Sequence, residues 1–445
     1  MLRAEHGLEP AKHDACPEMM TLGRVSDRER STTVAEALRL ADEAARAHDL
    51  TLTWELSEGD DGRAVAVHRA TLSDSVGTVL GRAAGKGVGK QSLASALFEA
   101  YEHAGARGLL PRQRHGRAWE VLPPPDFEQF DLLSTYAHDT RPTTAQATVP
   151  FHALLDIHPV RTGRRIVYPA VAADFAYHGD EAESDLVVLE RYSTTNGYAA
   201  GATAEDALVH AVNELVERDA LSQHLLSSVI RPRPLHRIRG GEPPELKRAL
   251  ETVETFLAGE AVVVDVTAHT GCVVMAHLRP ADSATALVGM GCSLFPDIAF
   301  ERAVTELYQE WKAYAAGVTF ADEGGREPDN LDSYPLLRRA AEVPAPRWAS
   351  QGSYGDFLRD RAPNNPSGEA HLLTSLRQNG FEVFWRSLWE HTDDADGKGR
   401  GVHVVQVIAP GLEQFYGIML CRPLVPVGRL YSPETCAALL KGVDE

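Results

Sequence analysis

Residues Tyr192 to Leu221 read YSTTNGYAAGATAEDALVHAVNELVERDAL, and two different signals meet in this one stretch. The first part, Ser193 to Gly201, is small and polar, and Gly197 and Gly201 are free to take backbone angles that other residues avoid. The second part predicts a helix. Thr203 with Asp206 behind it has the form of a capping box. Ala207, Leu208, Ala211, Val212, Leu215 and Val216 then recur at helical spacing as one apolar face. Glu214 and Glu217 stand three apart, so their carboxylates are neighbours, and Arg218 and Asp219 follow at once. A carboxylate pair beside an apolar face is costly unless something positive compensates it.

The same arrangement occurs twice more. Upstream, Gly81 to Gly89 (GRAAGKGVG) is glycine-rich and carries Lys86. The Walker phosphate-loop pattern fails, because Gln91 follows Lys90 where Ser or Thr is required. The stretch reads either as an anion site made of backbone N–H groups and a helix N-terminus, or as a flexible turn. The helix after it buries Leu93, Ala96, Leu97, Ala100 and Tyr101 and carries Glu99 and Glu102, three apart. Taken alone, that pair reads as a solvated acidic face. Downstream, GMGCSLFPDIAFERAVTELYQEWKAY (Gly289 to Tyr314) has Ala299, Phe300, Ala303, Val304, Leu307 and Tyr308 as its apolar face. Here Glu306 and Gln309 stand three apart.

Three small-residue leads, each followed by an acidic helix, point to one shared site. Magnesium takes hard oxygen ligands and bridges carboxylates to phosphates. Helices that converge Glu pairs on a nucleotide would supply such a site. Arg218 would stabilise charge developing on a transferred phosphoryl group.

Elsewhere, Val34 to Ala47 and Glu245 to Leu257 predict helices, and Leu50 to Leu56, Ala64 to His68, Phe151 to Leu155, Ile166 to Ala173, Ala261 to Val266 and Cys272 to Leu278 predict strands. Pro123, Pro124 and Pro125 mark a rigid linker or turn. Arg231 to Arg239 (RPRPLHRIR) is a basic, proline-broken loop that either meets phosphate or an acidic peptide, or is a solvated connection. The 445 residues carry a net charge of −19, which argues against broad binding to nucleic acid or an anionic membrane. No stretch approaches the ~20 apolar residues of a membrane helix. Residues 1–27 read as a loose tail without a signal peptide. The five cysteines are scattered, with no disulfide framework or CxxC pair, which fits a reduced cytoplasm. The histidines have no zinc-ligand spacing.

These motifs carry a resemblance. STTNGYAAGATAEDALVHAVNELVERDA, AAGKGVGKQSLASALFEAYEHA and GMGCSLFPDIAFERAVTELYQ are similar to the three signature segments of the YcaO family, the ATP-dependent enzymes that modify peptide backbone amides. The opening helix and the late VIAPGLEQ turn also resemble that family, from about Arg28 to about Arg429. The resemblance implies an α+β fold with mixed and antiparallel sheets and with ATP held by acidic helices. It divides the chain into a tail (residues 1–27), a YcaO domain (28–430) and a C-terminal tail (431–445). By motif it makes Glu99, Glu102, Glu214 and Glu217 ligands of Mg2+. Lys86, Ser193, Asn196, Arg218, Glu306 and Gln309 would contact ATP, with Arg218 and Glu217 as the catalytic pair. Lys312 stands where family members often have Arg, which weakens that one contact.

The implied reaction begins when a nucleophile adds to an amide carbonyl. The resulting oxygen is phosphorylated by ATP and leaves as phosphate. The product is an azoline, a thioamide or an amidine according to the nucleophile. The end KGVDE lacks the terminal P-x-P-x-P of azoline makers, so a C-terminal segment at the active site that differs from theirs is expected. About 27 residues before the domain are too few for a leader-binding domain, so a separate leader-binding or sulfur-delivery partner is expected to present the precursor peptide. A homodimer stays open. The competing reading is a catalytically silent scaffold subunit of a peptide-modifying complex.

Overall fold

The computed structural model describes residues 29–111, 119–122, 149–156, 165–174, 192–281, 283, 285–317, 328–361, 369–392, 399–426 and 431–441. The N-terminal tail and the triple proline lie outside the described residues. The first elements in chain order are α1 (Val34–Ala47), β1 (Thr51–Leu56), β2 (Val65–Ser73), β3 (Val79–Val88) and α2 (Gln91–Ala106). Next come β4 (Trp119–Leu122), β5 (Val149–Asp156), β6 (Arg165–Pro169), α3 (Ala170–Ala173), β7 (Tyr198–Gly201) and α4 (Ala204–Ile230). They are followed by β8 (Leu235–Ile238), α5 (Pro244–Leu257), β9 (Val262–Asp265), β10 (Cys272–Leu278), β11 (Leu287–Ser293) and α6 (Pro296–Ala315). The last are α7 (Pro335–Ala341), β12 (Trp348–Gly352), α8 (Tyr354–Arg361), α9 (Glu369–Gln378), β13 (Phe384–Thr392), β14 (Gly401–Ile408) and α10 (Pro433–Leu439).

The strands form three sheets. Their orders are β1-β2-β3, then β4-β5-β13-β14-β7 with β6 beside β5, then β11-β10-β9-β8-β12. Pairing is antiparallel except for β12, which runs parallel to β8. This is the expected α+β arrangement of mixed and antiparallel sheets.

Each of the three small-residue leads contains a strand, and each strand is the last in its sheet: β3, β7 and β11. Helix α2 packs on β3 and β7, α4 on β7 and β11, and α6 on β11 and β3. The three strand–helix units thereby close a ring. Glycine permits this contact. A Cβ on Gly85 would lie 2.0 Å from the Ala96 nitrogen, and one on Gly291 would lie 2.0 Å from the Ala299 oxygen. At Gly201 it would lie 2.4 Å from the Ala207 nitrogen. In each case the obstacle is helix backbone, which cannot move aside as a flexible side chain would.

Residues 81–89 are therefore neither a phosphate loop nor a flexible turn for most of their length, because Val79–Val88 is a paired strand. The basic run at 231–239 is likewise not all loop. Its Leu235–Ile238 forms β8, and Arg237 is buried, with its guanidinium over the Trp348 ring. The strand predicted to Ala173 ends at Pro169 and turns into α3. In the expected C-terminal tail, α10 buries Leu439 in the largest apolar cluster. The Thr203 hydroxyl accepts the Asp206 amide at 3.1 Å, which is one half of the predicted capping box of α4, while the Asp206 carboxylate accepts from the Ser31 N–H and hydroxyl instead. Among the described residues, no helix is long and apolar enough to cross a membrane.

Gly85→Ala or Gly291→Ala is expected to cost about 3 kcal/mol or more, because a helix must retreat from its strand. Gly89 has φ +61° and open space where a Cβ would stand. Gly89→Ala therefore meets only backbone strain, about 1 kcal/mol. Thermal denaturation checks the order, and equal shifts in all three variants would contradict the close-packing account.

Candidate functional site

The ring turns its acidic residues toward one another. Lys86 of β3 reaches across to α6, where its Nζ lies 3.1 Å from Glu306 Oε2. Burial lowers the Lys86 pKa, but Glu306, Glu99 and Glu217 raise it more, so it stays firmly charged. Its charge is thus felt by acids of all three helices. Arg218 NH1 lies 3.4 Å from Glu217 Oε1. Burial opposes the Arg218 charge, and Glu217, Glu306 and Glu214 restore it.

Lys86 and Arg218 do not by themselves balance this cluster. Burial, opposed by Arg218 and reinforced by Glu217, raises Glu214 to about 7. Burial likewise raises Glu217 to about 7, with Arg218 opposing and Glu306 reinforcing. Glu102 is pushed well above the usual carboxylate range by burial and then by Glu214 and Glu99. The edge strand β7 and the residue before it offset part of the repulsion. Gly197 donates its N–H to Glu214 Oε2 at 3.2 Å, and Ala200 donates its N–H to Glu102. Glu99 lies apart from these backbone donors, 4.0 Å from the His103 ring.

The neutral residues singled out in the sequence line the same region. Ser193 is buried and its carbonyl accepts from Arg422 at 2.9 Å. Gln309 donates to the Ala84 carbonyl at 2.8 Å and so pins α6 to β3. The Ser193 Oγ, Asn196 Nδ2 and Gln309 Oε1 atoms are buried and have no hydrogen-bond partner among the described residues. Among the described residues, no three His, Cys, Asp or Glu side chains form a group ready to hold a metal ion. Under-compensated carboxylates next to orphaned hydroxyl and amide groups suit a cation that arrives with its own oxygen ligands, as a magnesium-bound phosphate does.

Several residues around the cluster escaped the sequence reading. Arg302 lies one helical turn before Glu306, pairs with buried Glu29 at 2.8 Å and acts on the Glu217 charge. Its i, i+4 spacing was a usable signal. His210 precedes Glu214 by one turn, and burial together with Arg30, Arg302 and Lys86 drives its pKa well down. Tyr416 lies under the Arg218 guanidinium, 5.6 Å from ring centroid to carbon. Glu29 and Tyr416 come from distant segments with no local signal. Lys312 is turned to the β1–β2 turn, 3.0 Å from the buried Asp60, which also accepts the Tyr308 hydroxyl at 2.7 Å.

Comparison with known proteins follows the same lines. An uncharacterized protein of Methanothermobacter thermautotrophicus is 31% identical over 255 residues, which are 55% of this chain and 62% of that protein. The structure of YcaO from Methanopyrus kandleri bound with AMPPCP and Mg2+ superposes with a TM-score of 0.57 at 21% identity, covering 88% of this chain and 94% of that one. A heterocyclase in complex with substrate and cofactor gives 0.57 at 19% identity over 87% of this chain and 54% of its own. The E. coli microcin synthetase McbBCD complex gives 0.52 at 15% identity, over 81% of this chain and 88% of that one. These likenesses show a shared fold. The family model described as YcaO cyclodehydratase, ATP- and Mg2+-binding, matches residues 84–413, which include the units of α4 and α6 whole and that of α2 from the middle of β3 onward, and the chain belongs to the YcaO family.

Proposed function

We propose that this chain activates a backbone amide of a ribosomally made peptide at the expense of ATP. The observation that carries the reading is the charge cluster at the centre of the ring, where Lys86 and Arg218 stand among the acids of α2, α4 and α6. Glu99, Glu102, Glu214 and Glu217 would hold Mg2+. Lys86, Ser193, Asn196, Glu306 and Gln309 would orient the nucleotide, with the three orphaned polar atoms as its hydrogen-bond partners. ATP supplies the phosphoryl group that makes the amide oxygen a leaving group. Arg218, beside Glu217, would stabilise charge on that group during transfer. The protein contributes mainly position and preorganised charge.

The product is an azoline, a thioamide or an amidine, decided by the nucleophile. A precursor peptide is the substrate, and a separate leader-binding or sulfur-delivery protein presents it. The family membership and the peptide-heterocyclase fold relatives support this reading over a silent scaffold.

Calorimetry with ATP and Mg2+ tests the site. Glu214→Gln and Glu217→Gln should each weaken binding at least ~10-fold, because each removes a charge from the metal site. Undiminished binding in both would remove the assignment, and no binding by the intact protein would favour the scaffold. Intact-mass analysis of a processed precursor should show loss of one water, or exchange of oxygen for sulfur, strictly dependent on ATP. Unmodified amides, or turnover without ATP, would contradict the reaction.

The carboxylate shifts set a pH dependence. Glu214 and Glu217 rise from an ordinary 4.5 to about 7 on folding. Their protonated forms therefore stabilise the ligand-free fold. That contribution is full below 4.5 and lost as pH rises through about 7. Without divalent ions, melting temperature should fall between about pH 5 and pH 8. Glu217→Gln should reduce that fall by a few degrees. A variant whose melting temperature tracks the wild type across the range would show that Glu217 does not titrate there.

A further inference from the structure

Asp219 directly follows Arg218 on α4, yet it serves a different part of the chain. Its side chain is 2% exposed and accepts the Glu413 backbone N–H at 2.7 Å and the Gln223 side-chain amide at 2.8 Å. One turn on, the Ser222 hydroxyl donates to the Arg218 carbonyl at 2.7 Å and accepts the Tyr416 backbone N–H at 2.8 Å. Helix α4 thus grips residues 413–416 at both ends. Phe415, between the two anchors, is fully buried in the main core. The result is a fixed seat for Tyr416. Its ring lies against Arg218, and its hydroxyl is hydrogen-bonded to Thr194, in the loop between Ser193 and Asn196.

We infer that Tyr416 is a positioning residue that aims Arg218 into the site, and that Asp219 and Ser222 hold it in register with that arginine. The inference rests on the nucleotide reading of the site. A guanidinium on a flexible stem has several rotamers, and a ring on one face removes those that fold back onto the helix. Because the helix that carries Arg218 also anchors the turn that carries Tyr416, the two groups keep their relation when neighbouring elements shift. The contact with Thr194 joins this pair to the loop whose Ser193 and Asn196 have orphaned polar atoms.

A double-mutant cycle on Mg–ATP affinity, read by calorimetry, tests this. Tyr416→Phe keeps the ring and should bind within about twofold of wild type. Tyr416→Leu should weaken binding ~10-fold. In the Arg218→Met background, Tyr416→Leu should add no further loss, since its effect acts through the arginine. Ser222→Ala, which frees the Tyr416 amide, should also weaken binding only when Arg218 is present. It supplies the same arm if Tyr416→Leu does not fold. Losses that add independently of Arg218, or wild-type affinity in Tyr416→Leu, would overturn the inference while leaving the nucleotide reading in place. A wild-type protein that does not bind Mg–ATP would overturn both.

Discussion

The ring depends on three helices lying almost in contact with the strands beneath them. Side chains normally hold packed elements 8–10 Å apart, on the order of one side-chain layer. In β3, β7 and β11 glycine removes that layer, and helix backbone comes to where a Cβ would stand. Alternation along a strand then does the rest. In β3, Gly85 faces α2, and the next residue, Lys86, points to the other side, where Glu306 of α6 meets it. A strand with a larger residue at 85 would hold α2 away and open the centre of the ring. Because each helix packs on two of the three strands, a displacement at one unit would pass to its neighbours.

Close approach brings a cost of its own. Glu99, Glu102, Glu214, Glu217 and Glu306 share a partly desolvated space with Lys86 and Arg218. Burial and mutual repulsion drive Glu102, Glu214 and Glu217 toward protonation. The N–H groups of Gly197 and Ala200 relieve two of them, and only in part. The ligand-free fold therefore loses stability as pH rises through neutrality, as the carboxylates become ionised in the form wanted for a cation. Strain at a binding site that is relieved by its ligand is a common form of the trade between stability and function.

The helices were legible because apolar residues at 3.6 spacing fix which face is buried, and the acid pairs then lie on a known side. Thr203 announced the start of α4 through its cap. The strands of the three leads were not legible, for a physical reason. GRAAGKGV and YAAG contain little but small residues, so the alternation that marks a strand has no side chains to express it. Their strand character comes from pairing with β2 and β14, and β14 is far away in the chain. The run at 231–239 has the prolines and arginines of a solvated loop, whereas Arg237 is covered by Trp348 and paired with Glu260. Glu29 and Tyr416 could not be found at all from spacing. Each reaches the site through contacts that only the folded chain creates.

The composition of the cluster narrows what can occupy it. A metal ion alone would be served by carboxylates, and Lys86 and Arg218 beside them would only weaken its binding. A bare anion would be served by Lys86 and Arg218, and the acids of three helices would repel it. Both kinds of charge, held within a few ångströms and accompanied by buried hydroxyl and amide atoms with no partner among the described residues, match a ligand that is itself both: an anion carrying a cation. Magnesium-bound phosphate has that character, since the metal would take the carboxylates and the phosphate oxygens would take the lysine, the arginine and the Asn196 amide. The same reasoning explains why neither partner should bind well without the other. Each alone would leave one half of the cluster uncompensated in a site with little water to screen it.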